Sequence, residues 1–399
     1  MYIEHLALTD FRSYQNLDLE LSPGVTVFVG PNGVGKTNIV EAIGYLASLS
    51  SHRVSTDKPL VGFEAERALV RGRFVKGMQK TVVELEINPA APNRVRINRA
   101  NPVRARAAQG ILKTVLFAPE DLILVKGEPS SRRRYLDDLI ISMTPHQAGI
   151  AADYDRVLKQ RNALLKSVRV SGRFSDAHAA TLDVWNHHLI SRGSLLVQAR
   201  IALIGQLRPY FQQAYQELTD RSKDAALNYR TTIHGWEADE GHQSPRPFPA
   251  ENFLDLTLEK IQESFEAMLG TRRKQELDRG VSLVGPHRDD LEMVLGKVPA
   301  KGYASHGETW SLALALRLAA FYLFLDADQS ESSSPVLILD DVFAELDVQR
   351  RQKLARIVAG AEQVLVTAAV VADIPDSLGG RQILISPGGY EETDAGEED

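Results

Sequence analysis

Residues 30–37, GPNGVGKT, have the types and spacing of a phosphate-binding loop. In the pattern G-x-x-x-x-G-K-[ST], glycines let backbone N–H groups converge on phosphate oxygens without Cβ clashes, and the helix that follows adds its N-terminal dipole. We expect Lys36 to reach the β- and γ-phosphates of ATP and Thr37 to bind Mg²⁺. The predicted phosphate-binding residues are Gly30, Pro31, Asn32, Gly33, Val34, Gly35, Lys36 and Thr37.

A second acidic motif lies far along the chain, where the apolar run 336–339 ends in Asp340 and Asp341. We expect Asp340 to accept Mg²⁺ or one of its waters, and Asp341 to polarise the attacking water, with Lys36 as its catalytic partner. Read alone, the motif also fits a strand capped by acids. Because the two motifs lie closer together in Ras-like proteins and simple nucleotide kinases, their separation predicts a P-loop fold with a large insertion.

A third motif, residues 304–309, precedes a helix predicted at 311–325. Ser305 and Gly307 offer a hydroxyl and backbone N–H groups to an anion. Since the protomer already has one phosphate site, we expect the Ser305 segment to bind the ATP of a second copy. ATP would then hold together a two-fold dimer. Taken alone, the same residues fit an N-capped core helix.

The elements around these motifs predict an α/β core with a mainly helical insertion. A β-branched run ends at Gly30 and a helical stretch follows at 38–49, which is the context a phosphate-binding loop requires. Alternating residues predict antiparallel strands within 68–98, and two short apolar runs predict buried strands at 336–339 and 363–367. The predicted organisation is a core split into residues 1–130 and 275–385, a helical insertion at 131–274, and a disordered acidic tail at 386–399. Sustained heptads are absent, which excludes a long coiled-coil arm.

The composition of the chain is that of a globular protein: 44% of its 399 residues are hydrophobic and 25% are charged. It has no cysteine, which excludes disulfides and zinc–thiolate sites and suits a reducing cytoplasm. We find neither a signal peptide nor an apolar run of membrane-spanning length. The net charge is −6, but the final nine residues hold six acids and no base, so the rest is close to neutral. Bases cluster locally at Arg94, Arg96, Arg99, Arg104 and Arg106, at 132–134, and at 272–274.

Several segments together resemble the RecF family of bacterial recombination-repair ATPases, which are related to SMC proteins. Residues 305–308 resemble a degenerate ABC signature motif, and 344–347 resemble the D-loop of the same ATPases. The two most specific strings are GPHRDDL at 285–291 and DDVFAELD at 340–347. The other matching segments are DFRSY at 10–14, the phosphate-binding loop with EAI at 41–43, SHR at 51–53, FAPEDL at 117–122 and RR-YLD at 132–137.

The resemblance implies an ABC-type ATPase head, split in sequence, with a helical second lobe that is a short relative of the SMC arm. It implies an ATP-dependent homodimer that binds gapped DNA and works with RecO and RecR to place RecA, in repair, replication-fork maintenance and the SOS response. It puts Arg12, Ser13 and Arg53 beside the nucleotide and Asp347 on the D-loop. Glu120 is our assignment for the metal-side Q-loop position.

Three departures from the wider ABC pattern predict slow hydrolysis. The signature contains His306 and Glu308, where small or amide residues and Gln are common. Asp341 has a shorter reach than the usual Glu, and the switch histidine has only Thr367 as a polar stand-in. We therefore predict turnover below about 1 s⁻¹, against nearer 10 s⁻¹ for typical enzymes.

The chain carries no helix-turn-helix or zinc finger, so we expect DNA binding through phosphate contacts with little base specificity. Each arginine cluster is a candidate, although each also fits surface charge or an internal partner. The alternative function is the ATPase subunit of an ABC transporter, which should have a fuller signature, a Q-loop glutamine and a switch histidine. A full SMC chromosome organiser needs more heptads than 399 residues can hold, and a P-loop kinase lacks the Ser305 segment.

Overall fold

The computed structural model describes residues 1–219, 223–236, 256–327 and 334–393. The chain divides into two compact units. The first comprises Met1–Leu122, Tyr210–Ser222 and Ser305–Asp399, and the second comprises Ile123–Pro209 and Lys223–Ala304.

Strand-rich and helical segments follow one another along the described chain. The strands are β1 (Tyr2–Phe11), β2 (Tyr14–Glu20), β3 (Gly24–Val29), β4 (Ala68–Lys76), β5 (Gln79–Ile87), β6 (Arg94–Ile97), β7 (Val103–Arg104), β8 (Thr114–Phe117), β9 (Ala225–Arg230), β10 (Asp290–Leu295), β11 (Val298–Pro299), β12 (Val336–Asp340), β13 (Gln363–Ala368), β14 (Arg381–Ser386) and β15 (Gly389–Thr393). The helices are α1 (Lys36–Ser48), α2 (Leu122–Lys126), α3 (Pro129–Met143), α4 (Ala148–Ser171), α5 (Asp176–Leu218), α6 (Leu258–Arg279), α7 (His306–Ala327) and α8 (Val348–Val358).

Two six-stranded sheets build the first unit. One is antiparallel, in the order β2-β1-β4-β5-β6-β7. The other has the order β15-β14-β3-β13-β12-β8 and is parallel except for the hairpin of β14 and β15. Helix α1 contacts strands of both sheets, and its apolar residues join one core cluster with theirs. A helix covered on both sides is apolar around most of its circumference, as α1 is.

The parallel sheet brings the two phosphate-site motifs together. Strand β3 pairs with β13, and β13 pairs with β12, so the carboxyl ends of β3 and β12 lie at one edge of the sheet. All five residues of β12 are buried, as expected of a central parallel strand. The loop after β3 and the acids at the end of β12 therefore meet, although they are far apart in sequence.

A polar core holds the second unit together, and the GPHRDDL segment forms part of it. The Asp289 carboxylate is fully buried; it accepts the Tyr229 hydroxyl at 2.8 Å and the Thr232 backbone N–H at 2.9 Å. Arg200 donates two bonds of 2.8 Å to Asp137 and one to the Pro286 carbonyl. These bonds tie helices α3 and α5 to the strand pair β9–β10.

The division into units differs from the predicted one in two segments. Residues 275–304, predicted in the split core, belong to the second unit, because β10 pairs with β9 along its whole length. The last turns of α5, from Tyr210, belong to the first unit instead of the helical insertion; there the Tyr210 hydroxyl donates to Asp326. Strand β9 itself interrupts the region whose pattern predicted helices.

The predicted disordered tail begins too early. Residues 389–393 form β15, which pairs antiparallel with β14, so the prediction of disorder from residue 386 is wrong for this stretch. The acids that dominate the tail composition concealed the strand pattern. The final six residues, and most of the loop predicted near 235–250, lie outside the described residues.

One helix of the described residues, α7, is long and apolar enough to cross a membrane by length and composition alone. Its most apolar window is 72% buried inside the protein, as is usual for the central helix of a water-soluble fold.

Candidate nucleotide-binding site

The phosphate-binding loop connects β3 to α1 as predicted. Gly33 and Gly35 have φ values of 89° and 115°, in the left-handed region that side chains avoid. A Cβ on Gly35 would also lie 2.6 Å from the Tyr14 hydroxyl, so only glycine fits there. The Lys36 ammonium is 4% exposed and donates to the carbonyls of Gly30 at 2.7 Å and Pro31 at 3.0 Å. The backbone of the loop thus holds the Lys36 ammonium in place.

A hard-oxygen site lies at the start of α1. The Thr37 hydroxyl donates to Asp340 Oδ1 at 3.0 Å, and Thr367 donates to the same oxygen at 2.7 Å. Mg²⁺ typically takes one or two protein oxygens and completes its shell with phosphates and waters. Thr37 and Asp340 fit that donor set, and no cluster of three or more acidic or histidine ligands occurs among the residues described.

Asp341 follows Asp340 and lines the same cavity of about 300 Å³ as the phosphate-binding loop. Its backbone N–H donates to Thr367 Oγ1 at 2.9 Å, and its φ of 51° turns the chain sharply away from β12. Burial, followed by the neighbouring Asp340 carboxylate, raises the pKa of Asp341 above its ordinary range. A carboxylate with raised basicity that faces a phosphate cavity can accept a proton from water.

Hydrogen bonds connect the predicted N-terminal residues to this cavity. Arg53 lines the cavity and donates to Asn38 Oδ1 at 3.1 Å, while the Asn38 amide donates to Ser13 Oγ at 2.9 Å. Arg12 is held by Glu41 through two bonds of 2.8 and 2.6 Å. The structure therefore joins Arg12, Ser13 and Arg53 to the start of α1 in one polar chain.

The predicted signature residues form a capped helix start. The Glu308 N–H donates to Ser305 Oγ at 3.3 Å, and the Ser305 N–H donates to Glu308 Oε2 at 2.8 Å, a reciprocal capping box. In the described residues, no hydrogen bond or ion pair joins Ser305, Gly307 or Asp347 to the phosphate-binding loop of the same chain.

Arg350 connects the signature helix to the predicted D-loop. It pairs with Asp347, which caps α8 by accepting the Arg350 N–H at 2.9 Å, and its Nε donates to Ser311 Oγ at 3.0 Å. A Cβ on Gly307 would lie 3.0 Å from its guanidinium. Arg350 therefore joins the D-loop to the signature helix, a link that the sequence did not reveal.

Glu120 receives no support as a metal ligand. It is exposed in a short helix, Pro119–Asp121, and across the described chain it forms no hydrogen bond or ion pair with Thr37 or Asp340. Its neighbour Asp121 is the engaged acid, bonded to Arg317 at 2.6 Å. The assignment of Glu120 to the metal remains a prediction.

His52 is a site residue that sequence reasoning missed. It lies in the matched SHR segment, but nothing in the sequence placed its ring beside Asp340. Its Nε2 is buried, lies 3.5 Å from Asp340 Oδ2, and has no hydrogen-bond partner within the described structure. The hydroxyl of Thr367, predicted only as a stand-in for the switch histidine, donates to the Asp340 carboxylate and accepts the Asp341 backbone N–H.

Known proteins are similar to this chain over most of its length. A family model described as RecF/RecN/SMC N terminal domain matches residues 2–372. The DNA replication and repair protein RecF of Pseudarthrobacter chlorophenolicus is 61% identical over 400 residues, which cover 98% of this chain and 99% of that protein. The protein of the same name from Streptomyces avermitilis is 51% identical over 395 residues, with 98% and 100% covered.

Solved structures show the same fold. A recombination mediator protein RecF with ATP, described as part of the RecFOR pathway, superposes with a TM-score of 0.82 at 26% identity and covers 98% of this chain and 97% of its own. An Smc head domain from Pyrococcus yayanosii superposes with a TM-score of 0.53 at 14% identity, covering 98% and 96%.

The fold and the site define a P-loop ATPase head of the ABC/SMC type, with its core split in sequence. Within that class, the chain belongs to the RecF family, whose members are named DNA replication and repair proteins.

Proposed function

We propose that the chain is an ATP-gated DNA-binding protein of recombinational repair. ATP and Mg²⁺ bind between Lys36, Thr37 and Asp340, and the Ser305 helix of a second copy completes the site. The separation of Ser305 and Gly307 from the phosphate-binding loop of their own chain carries this proposal, because one copy then offers two half-sites. The ATP-bound structure of a RecF relative supports the nucleotide.

The joined pair holds single-stranded and gapped duplex DNA in the cytoplasm, and hydrolysis releases it. The relatives are named for DNA replication and repair, and one is placed in the RecFOR pathway. On that basis we propose RecO and RecR as partners in placing RecA, at replication forks and in the SOS response.

Substituting Ser305→Arg tests the dimer. The long cation should block a partner at the signature helix while leaving the phosphate-binding loop intact, so ATP affinity should stay within about threefold, less than the 1.4 kcal/mol that a tenfold change represents. Sedimentation in ATPγS and Mg²⁺ should show a dimer for the unaltered protein and a monomer for the variant, which should also lose gapped-DNA binding.

Ser175→Arg is the matched control. Ser175 stands just before α5 and accepts the His178 N–H at 3.3 Å, the same distance as in the Ser305 cap, so the two substitutions disturb a helix start equally. A dimer of the Ser305→Arg protein in ATPγS as stable as that of the control would overturn the two-copy site.

Substituting Asp341→Asn should separate binding from hydrolysis. An amide cannot accept the proton of the attacking water, so single-turnover hydrolysis should fall by roughly 10²–10⁴-fold, the usual contribution of a general base. ATP affinity and dimerisation should persist, with a longer-lived dimer. Asp376→Asn, an exposed carboxylate of the same unit, should change neither. Hydrolysis by Asp341→Asn within threefold of the unaltered rate would exclude the base role.

Of the three arginine clusters, the one on β6 and β7 best fits DNA. In the second cluster, Arg132 is buried and bonded to Asp290 at 2.6 Å, and Arg133 donates to the Asp289 carbonyl, so these two are internal partners. In the third, Arg272 bonds to Gln275 and Arg273 pairs with Asp183. The first cluster is exposed throughout, and Arg94 lies directly opposite Arg104 in the sheet register.

Two like charges directly opposite each other destabilise a sheet unless an anion lies between them. Substituting Arg94→Gln with Arg104→Gln should therefore weaken DNA binding while leaving thermal stability unchanged or higher. The slope of log K against log salt should fall by about 2, at about 0.9 for each phosphate contact. Arg67→Gln with Arg71→Gln, whose arginines pair with Glu86 and Glu84 on the same sheet, is the control. An unchanged slope in the variant with Arg94→Gln and Arg104→Gln would show that this cluster does not contact DNA.

A further inference from the structure

Glu41 is a buried carboxylate in α1, four residues after Thr37, and it has no exposed surface. It accepts Arg12 Nε at 2.8 Å and Arg12 Nη2 at 2.6 Å, the Ser51 hydroxyl at 2.5 Å, and Arg53 Nη1 at 3.4 Å. One carboxylate thus satisfies two arginines and a serine. Buried charges of this kind are retained only where partners compensate them.

These contacts join three chain segments, of which α1 and the loop after it line the nucleotide cavity. Arg12 comes from the turn between β1 and β2, where its φ of 54° is in the left-handed region. Ser51 accepts the N–H groups of Arg53 and Val54 at 2.9 and 3.1 Å, so its bond to Glu41 also fixes the loop after α1. Glu41 therefore places Arg12, and it places Arg53 together with Asn38, whose Oδ1 accepts Arg53 Nη1 at 3.1 Å.

The two arginines are held unequally. Arg12 is gripped by the two-pronged bond to Glu41 and donates its Nη1 to the Pro59 carbonyl, and only 15% of its side chain is exposed. Arg53 has the longer contact, is 36% exposed and lines the cavity beside Lys36. The pKa of Glu41 is lowered: burial alone would raise it, but the hydrogen bonds from Arg12 and Ser51 outweigh that effect.

We infer that Glu41 is a positioning residue. It orients Arg53 toward the phosphates of the bound nucleotide, and it holds the Arg12 turn in place. This inference rests on the proposed ATP site. Glu41 itself does not touch the nucleotide, because its carboxylate is filled by its own chain's donors. Arg53, with the weakest of the four contacts and the most exposure, is the cation free to turn toward a phosphate.

The negative charge of Glu41 and its positioning role predict opposite changes in ATP affinity for Glu41→Gln. If only charge mattered, removing a carboxylate near a triphosphate would tighten ATP binding, because less negative charge would oppose the ligand. If placement matters, the amide cannot replace the carboxylate contacts that hold Arg12 and Arg53, and ATP binding weakens. We expect Kd for ATP to rise about tenfold, equivalent to about 1.4 kcal/mol.

The test is a double-mutant cycle of Glu41→Gln and Arg53→Gln, read as Kd for ATP by equilibrium titration at a temperature where each protein is folded. Since Glu41 acts through Arg53, we expect Glu41→Gln to cost less than about threefold once Arg53 is absent, a coupling that simple loss of stability would not produce. Glu4→Gln is the matched control: Glu4 also bridges an arginine and a lysine, Arg73 and Lys80, but on β1 and outside the nucleotide cavity. It should leave Kd unchanged.

Glu41→Asp is the second variant, for use if the amide prevents folding. It keeps the charge but shortens the reach, and it should also raise Kd. Equal or tighter ATP binding by either Glu41 variant, or full additivity with Arg53→Gln, would overturn the positioning role. Failure of the ATP site itself would appear differently, as an unaltered Kd for Lys36→Ala in the same titration.

Discussion

The Lys36→Ala protein should bind ATP on the order of a hundredfold more weakly than the unaltered chain, because it loses the charge-assisted bonds of about 1.5–3 kcal/mol each that an ammonium makes to phosphate oxygens. In the structure the ammonium is bonded to the Gly30 and Pro31 carbonyls and is almost fully buried. It is therefore already in the loop, and we expect bound ATP to replace the two carbonyl acceptors with phosphate oxygens.

Isothermal titration with ATP and Mg²⁺ measures this loss, and the ATP-dependent dimer should vanish with it. The matched control is Lys80→Ala, which removes an exposed lysine of the same unit that pairs with Glu4. Affinities are compared at a temperature where both proteins are folded, since the carbonyl of buried Gly30 loses its ammonium partner in the Lys36→Ala protein. ATP affinity of the Lys36→Ala protein within threefold of the control would refute the assignment of the phosphate-binding loop.

The parts of the site that the sequence predicted are those built by local chain geometry. The loop, its lysine and the helix that begins at Lys36 follow from glycine spacing, because a tight turn between a strand and a helix needs residues that accept left-handed φ. The acids after β12 were predictable because a wholly apolar run marks a buried parallel strand, and ligands bind beyond the carboxyl ends of such strands.

The parts that could not be predicted depend on side chains from distant segments. In sequence, Glu41 is a charged residue of the helix after the phosphate-binding loop with no visible partner, and only the fold brings Arg12 and Arg53 to it. Arg132 stands in a run of three arginines that resembles a basic surface, yet it is buried against Asp290, which is far away in sequence. The sequence shows the charge of an arginine but not the residue that it pairs with. Surface and core arginines therefore look alike until the tertiary contacts are known.

The second large effect should come from Arg161, in the polar core of the second unit. Its guanidinium is 1% exposed and donates to Glu276 at 2.5 Å, to the Ser282 hydroxyl at 2.7 Å and to Asn186 at 2.8 Å. Substituting Arg161→Met leaves the Glu276 carboxylate buried without its cation. Removing one partner of a buried pair costs about 3–5 kcal/mol of the free energy of unfolding, much more than the pair itself contributes.

Calorimetry should show the melting temperature of the second unit falling by about 10 °C, at about 2–4 °C for each kcal/mol in a unit of this size. Arg156→Met is the control, since Arg156 pairs with Asp153 at the surface, where exposed pairs contribute about 0–1 kcal/mol.

Adding Glu276→Leu to Arg161→Met should recover much of the loss, because an apolar pair leaves no buried charge. ATP affinity should be unchanged in all three, since every residue of the nucleotide cavity belongs to the first unit. A melting temperature of Arg161→Met within 2 °C of the control would show that the Glu276 carboxylate finds another partner.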